Sequence, residues 1–173
     1  MIRRAVERDL IKILEIYNDA VLNTTAVYTY NAQTLEERKL WFQKKTEDQL
    51  PVWVFEENNE VLGFATYGPF RAWPAYKYTI EHSVYVDTGF RKLGIGSALV
   101  KEIISMADER KYATIVAGIE ALNENSIKMH VKLGFKYSGT IRRAGFKFGK
   151  WLDLAFYQIN LLGPENPLDD LKA

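Results

Sequence analysis

Residues 79–107 read T-I-E-H-S-V-Y-V-D-T-G-F-R-K-L-G-I-G-S-A-L-V-K-E-I-I-S-M-A, and the rest of the chain is organised around them. Apolar residues at Ile95, Leu99, Ile103 and Met106/Ala107 recur at helical spacing. Lys101, Glu102, Ser105 and Asp108 lie opposite, so an amphipathic helix opens close to Gly94, after the strand T-I-E-H-S-V-Y-V and a polar turn. The first turn of such a helix carries unpaired N–H groups and the positive end of its dipole. Gly94 and Gly96 remove side chains that would hold a pyrophosphate away, and Arg91-Lys92 stand beside them. The stretch predicts a site for an anionic cofactor.

Three phosphate motifs compete for it. A P-loop, G-x-x-x-x-G-K-[ST], finds its glycines in Gly89 and Gly94, but Ile95 and Gly96 stand where Lys and Ser/Thr are required. A dinucleotide fingerprint has Glu120 for its acidic residue but Leu99 where the third glycine belongs, and Glu81 and His82 are out of place in a buried first strand. The pattern [QR]-x-x-G-x-[GA] is matched in full by Arg91 to Gly96.

Composition narrows the field. A length of 173 residues with 47% hydrophobic content suits one globular domain, read here as residues 1–162 with a loosely ordered tail over 163–173. The net charge of +1 arises without long runs of either sign, which argues against nucleic acid or a membrane surface as partner. Cysteine is absent, excluding disulfides, a thiolate nucleophile and Cys-ligated metal. With two histidines in the chain, a His-ligated metal is not expected either. The opening M-I-R-R-A-V-E-R-D has no apolar signal core, and no stretch reaches the ~18 apolar residues of a membrane span. The expected location is the cytoplasm.

In chain order, the pattern predicts an edge strand over 2–5 and a helix over 9–22 with Leu10, Ile13, Leu14, Tyr17 and Val21 inward. Thr34 and Glu37 form a capping box for a second helix, Leu35 to about Thr46, burying Leu40 or Trp41. V-W-V-F-E and V-L-G-F-A-T-Y flank an Asn58-Asn59 hairpin turn, and Gly68 to Tyr78, with Pro69 and Pro74, reads as a loop that leaves the ladder. After the central stretch come a buried strand A-T-I-V-A-G-I, a helix over 125–132 stopped by Gly134, and two antiparallel strands, F-K-Y-S-G-T-I and W-L-D-L-A-F-Y-Q-I-N, joined by a glycine-containing connection. The order is β-α-α-β-β-β-α-β-α-β-β, an α/β fold with a mixed sheet.

E-H-S-V-Y-V with R-K-L-G-I-G, N-E-N-S-I-K-M-H-V-K-L-G-F and A-G-F-K-F-G-K-W-L-D together resemble the GNAT superfamily of N-acetyltransferases, within it the phosphinothricin and L-amino-acid acetyltransferase branch. The resemblance runs from Ile2 to about Asn160 and implies the GNAT fold and acetyl-CoA as co-substrate. It implies that the backbone of Val84-Tyr85-Val86 pairs with the pantetheine arm and polarises the thioester carbonyl. By the same resemblance the turn Lys92, Leu93, Gly94, Ile95, Gly96, Ser97 is expected to wrap the pyrophosphate, with Arg91 at its entrance, Asn123 on the arm and Lys128 near a phosphate. An acceptor amine must lose a proton as it attacks, and a carboxylate serves as base. Strand alternation sets Glu81 with Ser83 and Tyr85 on one face and His82 on the other, so the two cannot share a task. Glu81 is the base by this reading, against the alternative of a carboxylate satisfied by Arg71 or a backbone amide. His82 either lines the substrate pocket or is a hydrogen-bonded core residue.

His130 stands where many GNAT members carry a tyrosine that protonates the departing thiolate; it protonates that thiolate, or hydrogen-bonds the sulfur or a helix end. By the resemblance Arg71 faces the acceptor, and its guanidinium suits a carboxylate, phosphinate or sulfone. Tyr28, Tyr30, Trp73 and Tyr76 are candidates for the pocket wall, each with core packing as the alternative, while Arg142, Arg143 and Lys147 are read as solvated bases outside the site. The implied substrate is the α-amine of a small amino acid or analogue such as phosphinothricin, methionine sulfoximine or methionine sulfone, and the family expectation is a homodimer. Two alternatives stay open: another amine acceptor (polyamine, aminoglycoside, protein amine), or a non-catalytic acyl-CoA-binding module.

Overall fold

A computed structural model describes residues 1–168. Its order is β1 (Ile2–Arg4), α1 (Leu10–Asn23), α2 (Leu35–Glu47), β2 (Val52–Glu57), β3 (Glu60–Pro69), β4 (Thr79–Val86), α3 (Ile95–Glu109), β5 (Thr114–Glu120), α4 (Glu124–Lys132), β6 (Lys136–Lys147) and β7 (Lys150–Asn160). The succession of strands and helices is the one the sequence predicts. The strands form one sheet in the order β1-β2-β3-β4-β5-β7-β6.

Local chemistry explains the joints. Asn58 and Asn59 both take positive φ, as a two-residue hairpin turn requires, so β2 and β3 pair tightly. Thr34 and Glu37 exchange their capping hydrogen bonds at the start of α2. Gly134, at φ +97, ends α4 in the left-handed conformation that favours glycine.

Apolar faces then fix the layers. Ile95, Leu99, Ile103 and Ala107 of α3 pack on Ile80, Ile115, Ala117 and Ile119, while Leu10, Ile13 and Ile16 of α1 pack on Val52, Val54, Val61 and Phe64. The sheet is therefore covered on both faces.

Four expectations are corrected. On α1, Ile16 and Ala20 are buried, whereas Leu14 and Tyr17 are only partly so. On α2, Leu40 is 57% exposed, Trp41 packs at the edge of the core, and the buried residue is Arg38, whose guanidinium lies 4.1 Å from the Tyr17 ring and 4.5 Å from that of Trp41. A planar cation stacks on rings where an aliphatic side chain was expected. The ladder of β3 runs on through Gly68 and Pro69. Phe70 N–H still reaches Thr79 C=O, so the nitrogen of Pro69 points away from β4, past the end of β2, and no bond is lost there. The connection before Trp151 is itself strand: β6 continues over two bulges to Lys147, and Phe148-Gly149, both at positive φ, make the turn.

The described part of the tail, from Gly163 to Leu168, has no helix or strand, and Leu168 meets the Tyr78 hydroxyl. Residues 169–173 lie outside the described residues. Among the described residues, no helix is long and apolar enough to cross a membrane.

Candidate active site

The parallel pair β4–β5 holds together over only three residue pairs, Thr79↔Thr114 to Glu81↔Val116. Beyond them β4 stays paired to β3 as far as Val86, and β5 to β7 as far as Glu120, so the sheet opens into a split between its central strands. Antiparallel pairing alternates the direction of main-chain groups. Asp87 N–H bonds Leu62 C=O, which turns Ser83 and Tyr85 toward β3 and leaves the main-chain groups of Val84 and Val86 facing the split. Val84 and Val86 can therefore offer backbone to a ligand. Tyr85, expected to do the same, spends its main chain on Phe64 and contributes a side chain instead.

A groove of about 510 Å³ occupies this split and continues to the start of α3. Val84, Val86, Arg91, Lys92, Gly94, Ile95, Gly96, Ser97 and Asn123 line it. The first helical bond runs from Ala98 N–H to Gly94 C=O at 3.0 Å, so the amides of Ile95, Gly96 and Ser97 have no intrahelical acceptor. The two glycines have different reasons for being there. Gly94 is the N-cap at φ +85, with open space where a Cβ would stand, whereas a Cβ on Gly96 would lie 3.2 Å from Met129 Sδ. Gly96 lets α4 approach α3; Gly94 sets the backbone and keeps the mouth clear.

Arg91 reaches back to Val86 C=O at 3.3 Å and to Asp19 at 3.5 Å, bridging the groove to α1. The Asn123 side-chain oxygen accepts from Ser126 N–H at 3.2 Å and caps α4, leaving the NH₂ group to face the groove. Leu93 contributes only its place in the turn, its side chain being 68% exposed, and Lys128 is drawn off by Glu124 at 2.8 Å, outside the lining.

Glu81 lies on the opposite face of β4 from His82. Its carboxylate takes part in no hydrogen bond and no ion pair among the described residues, and its Oε1 stands 3.0 Å from where a Cβ of Gly118 would be. Burial pushes its pKa above the ordinary carboxylate value, with the nearby positive charge of Arg71 opposing the shift. Arg71 does not claim it: its guanidinium donates to Phe70 C=O at 2.8 Å and stacks on the Phe70 ring at 4.1 Å. Arg71, Trp73 and Tyr76 gather around a side cavity of about 310 Å³. Tyr30 stands away from that cavity, its hydroxyl donating to Phe146 C=O, while Tyr28 donates to Asp153 C=O and lies near Glu120, burial first and that carboxylate second pushing its pKa up to about 12.

The two histidines form a stacked pair, with Nε2 atoms 3.1 Å apart. A carbonyl only accepts, so the 2.8 Å contact of His130 Nδ1 with Ser126 C=O places a hydrogen on Nδ1. In the neutral ring Nε2 of His130 is then a lone pair, and His82 Nε2–H must donate to it. Burial holds both rings below the ordinary histidine range, and each would repel charge on the other. His82 Nδ1 remains buried without a hydrogen-bond partner. His82 thus joins His130 rather than Arg71 and Trp73.

Three further residues shape the site. Lys147, expected to be solvated, is buried and donates to the main-chain oxygens of Val21, Thr24 and Val27, holding the end of α1 and the loop after it. Ser126 anchors His130. Glu120, the last residue of β5, lies buried at the split. Strand alternation through V-A-G-I-E was the signal for Glu120, missed because the strand was ended at Ile119; Lys147 meets carbonyls far away in the chain and left no local signal. Among the described residues, no group of three or more metal-ligating side chains comes together.

Residues 2–156 match the family described as acetyltransferase (GNAT) domain. The chain is 43% identical over 161 residues to the L-methionine sulfoximine/L-methionine sulfone acetyltransferase of Pseudomonas aeruginosa, covering 92% of this chain and 94% of that protein. A GNAT superfamily phosphinothricin acetyltransferase from Sinorhizobium meliloti, crystallised with acetyl-CoA, superposes with a TM-score of 0.92 at 34% identity, covering 99% of this chain and 94% of that one. The ribosomal-protein-alanine N-acetyltransferase of Brucella melitensis superposes with a TM-score of 0.91 at 45% identity, covering 93% and 99%.

Proposed function

Because the chain belongs to the GNAT family of acetyltransferases, we propose that it transfers the acetyl group of acetyl-CoA to the α-amine of a small amino acid or analogue such as methionine sulfoximine, methionine sulfone or phosphinothricin. The observation that carries this reading is the split beyond Glu81↔Val116: it lines one groove with the open amides at the start of α3 and the main chain of Val84 and Val86, and Glu81 belongs to the last residue pair before the strands part. Acetyl-CoA is a co-substrate here. Its pyrophosphate would meet the amides of Ile95, Gly96 and Ser97, with Arg91 and Lys92 adding charge, and its thioester carbonyl would face Val84 or Val86 N–H.

In the reaction the amine nitrogen attacks the thioester carbon, a C–N bond forms, and the C–S bond breaks. Glu81, directly or through water, takes the proton that the neutral amine loses as the bond forms, and the departing thiolate takes one from solvent or from the newly protonated Glu81. For His130 we favour a positioning role. An acid role would need a further proton on a pair from which burial excludes charge, while both its nitrogens are already engaged, on Ser126 and on His82. Arg71, held beside the site by Phe70, is the counter-charge for an acidic group on the acceptor.

A protein acceptor is the second reading, favoured by the likeness to the ribosomal-protein-alanine enzyme. Coenzyme A release from acetyl-CoA, followed with a thiol reagent over methionine sulfone, methionine sulfoximine, phosphinothricin, simple amines and an alanyl-terminated peptide, tests both. Turnover confined to the small analogues supports the proposal; turnover of the peptide alone supports the alternative; none at all leaves a binding module. The proposal extends to a single catalytic domain over 1–162, acting in the cytoplasm as a homodimer.

A further inference from the structure

At the end of β5 stands a carboxylate that the reaction above does not use. Glu120 is 7% exposed, and the one hydrogen bond its carboxylate makes among the described residues, accepted by Oε2 from Thr25 Oγ1, is long at 3.4 Å. Among the described residues its other oxygen has no hydrogen-bond partner and no lysine or arginine pairs with it, and that oxygen is not sealed from solvent, so it is open to the cleft. Glu120 borders this cleft of about 110 Å³, which runs through the split, walled also by Ser83, Gly118, Asn123 and the two histidines. With the histidines held neutral, Glu120 is the one charge on those walls.

The cleft is the place where an acyl group and an amine would meet. By the register Glu81↔Val116, Glu120 shares the face of Gly118 and Glu81. Glu81 already lies against the bare Gly118 position, and Glu120 follows two residues on, about 7 Å along the strand. An ammonium lodged over Gly118 would have a carboxylate on either side.

We propose that Glu120 receives the ammonium group of the incoming acceptor and orients it at the cleft; the ammonium releases one proton to solvent before it can attack, and Glu81 takes the second as the C–N bond forms. This assignment rests on the acetyltransferase reading and adds the recognition of the amine to it. It also accounts for a buried anion without a cation: the cation arrives with the substrate.

The test is made at equilibrium, so that it does not depend on turnover. L-methionine sulfone and its desamino counterpart, 4-(methylsulfonyl)butanoate, are titrated calorimetrically into the protein saturated with coenzyme A. The wild type should prefer the amine, and Glu120→Gln should weaken methionine sulfone by about 10- to 100-fold while changing the desamino compound little. Thr25→Val removes only the tether between the loop and Glu120, and should keep the preference. Were Glu120→Gln unfolded, Glu120→Asp makes the same comparison, with a smaller loss again confined to the amine. Equal preference in wild type and variant, or the same loss in Thr25→Val, would overturn the assignment and reduce Glu120 to a loop anchor. Wild type that binds coenzyme A but neither acceptor overturns the acceptor class and this assignment with it; failure to bind coenzyme A removes the acetyltransferase reading first.

Discussion

Replacing Glu81 by glutamine should separate catalysis from stability. The carboxylate has no hydrogen bond or ion pair among the described residues, so the isosteric amide leaves no partner stranded. What it does lose is the capacity to accept a proton from the attacking amine. General-base assistance is worth about 10²- to 10⁴-fold, or about 3 to 5 kcal/mol of transition-state stabilisation, and the loss should fall on kcat with acetyl-CoA affinity little changed. Stability should move the other way. Burial raises the folded pKa of Glu81 above its ordinary value of 4.5, so the native state holds its proton longer than the unfolded chain. The resulting stability is complete below the unfolded pKa and is lost as pH rises through the folded one. At pH 7 the ionised group is therefore a cost, which glutamine removes: Tm should hold or rise at pH 7, and the gap between variant and wild type should close toward pH 4. The same raised pKa should place the acid limb of the wild-type rate profile above the usual carboxylate range. Thiol-release kinetics and calorimetry measure both effects. Unaltered kcat, or a fall in kcat matched by a fall in Tm, would refute the assignment of Glu81 as base.

Arg71→Ala should raise KM chiefly for acceptors bearing a carboxylate, sulfone or phosphinate, and an equal rise for simple amines would remove Arg71 from acceptor recognition. Lys147→Met strands three main-chain oxygens and should cost about 2 to 4 kcal/mol, with Tm lowered by roughly 5 to 15 °C; a change under about 1 °C in calorimetry would contradict the clamp. The histidine pair predicts acid sensitivity. Both folded pKa values lie below the unfolded 6.5, so stability is complete above that pH and is lost as pH falls below it, by up to about 1.4 kcal/mol per pH unit for each ring. Denaturant titrations from pH 7 to 5 should show this slope, and His82→Gln should lessen it. Without cysteine, and with one split serving both substrates, transfer should be direct: initial-rate lines should intersect, whereas parallel lines would point to an acetylated enzyme.

The fold was legible because its signals are local. Helical spacing from Ile95 to Ala107, the Thr34/Glu37 box and the Asn58-Asn59 turn each act within a few residues, and the observed elements follow them. The failures have long-range causes. Arg38 is buried because Tyr17, on another helix, offers its ring; β6 runs unbroken through its glycines because β7 supplies a partner and two bulges absorb the extra residues. Neither Tyr17 nor the bulges can be weighed from the window in which Arg38 or Gly145 sits.

For the site the division falls along β4. Alternation alone separates Glu81 from His82, and the structure keeps them on opposite faces, one toward Gly118 and one against His130 and Phe135. The sequence pattern does not contain the point at which β4 and β5 part company, because pairing depends on where two distant strands meet. That parting frees the main chain of Val84 and Val86 beside the face that carries Glu81. With a continuous ladder through Glu120, Val84 and Val86 would bond β5, the acyl donor could not cross the sheet, and the carboxylate at Glu81 would face no thioester. The same opening exposes Glu120 to the cleft, which is why a residue that reads as the mere end of a strand becomes a candidate for holding substrate.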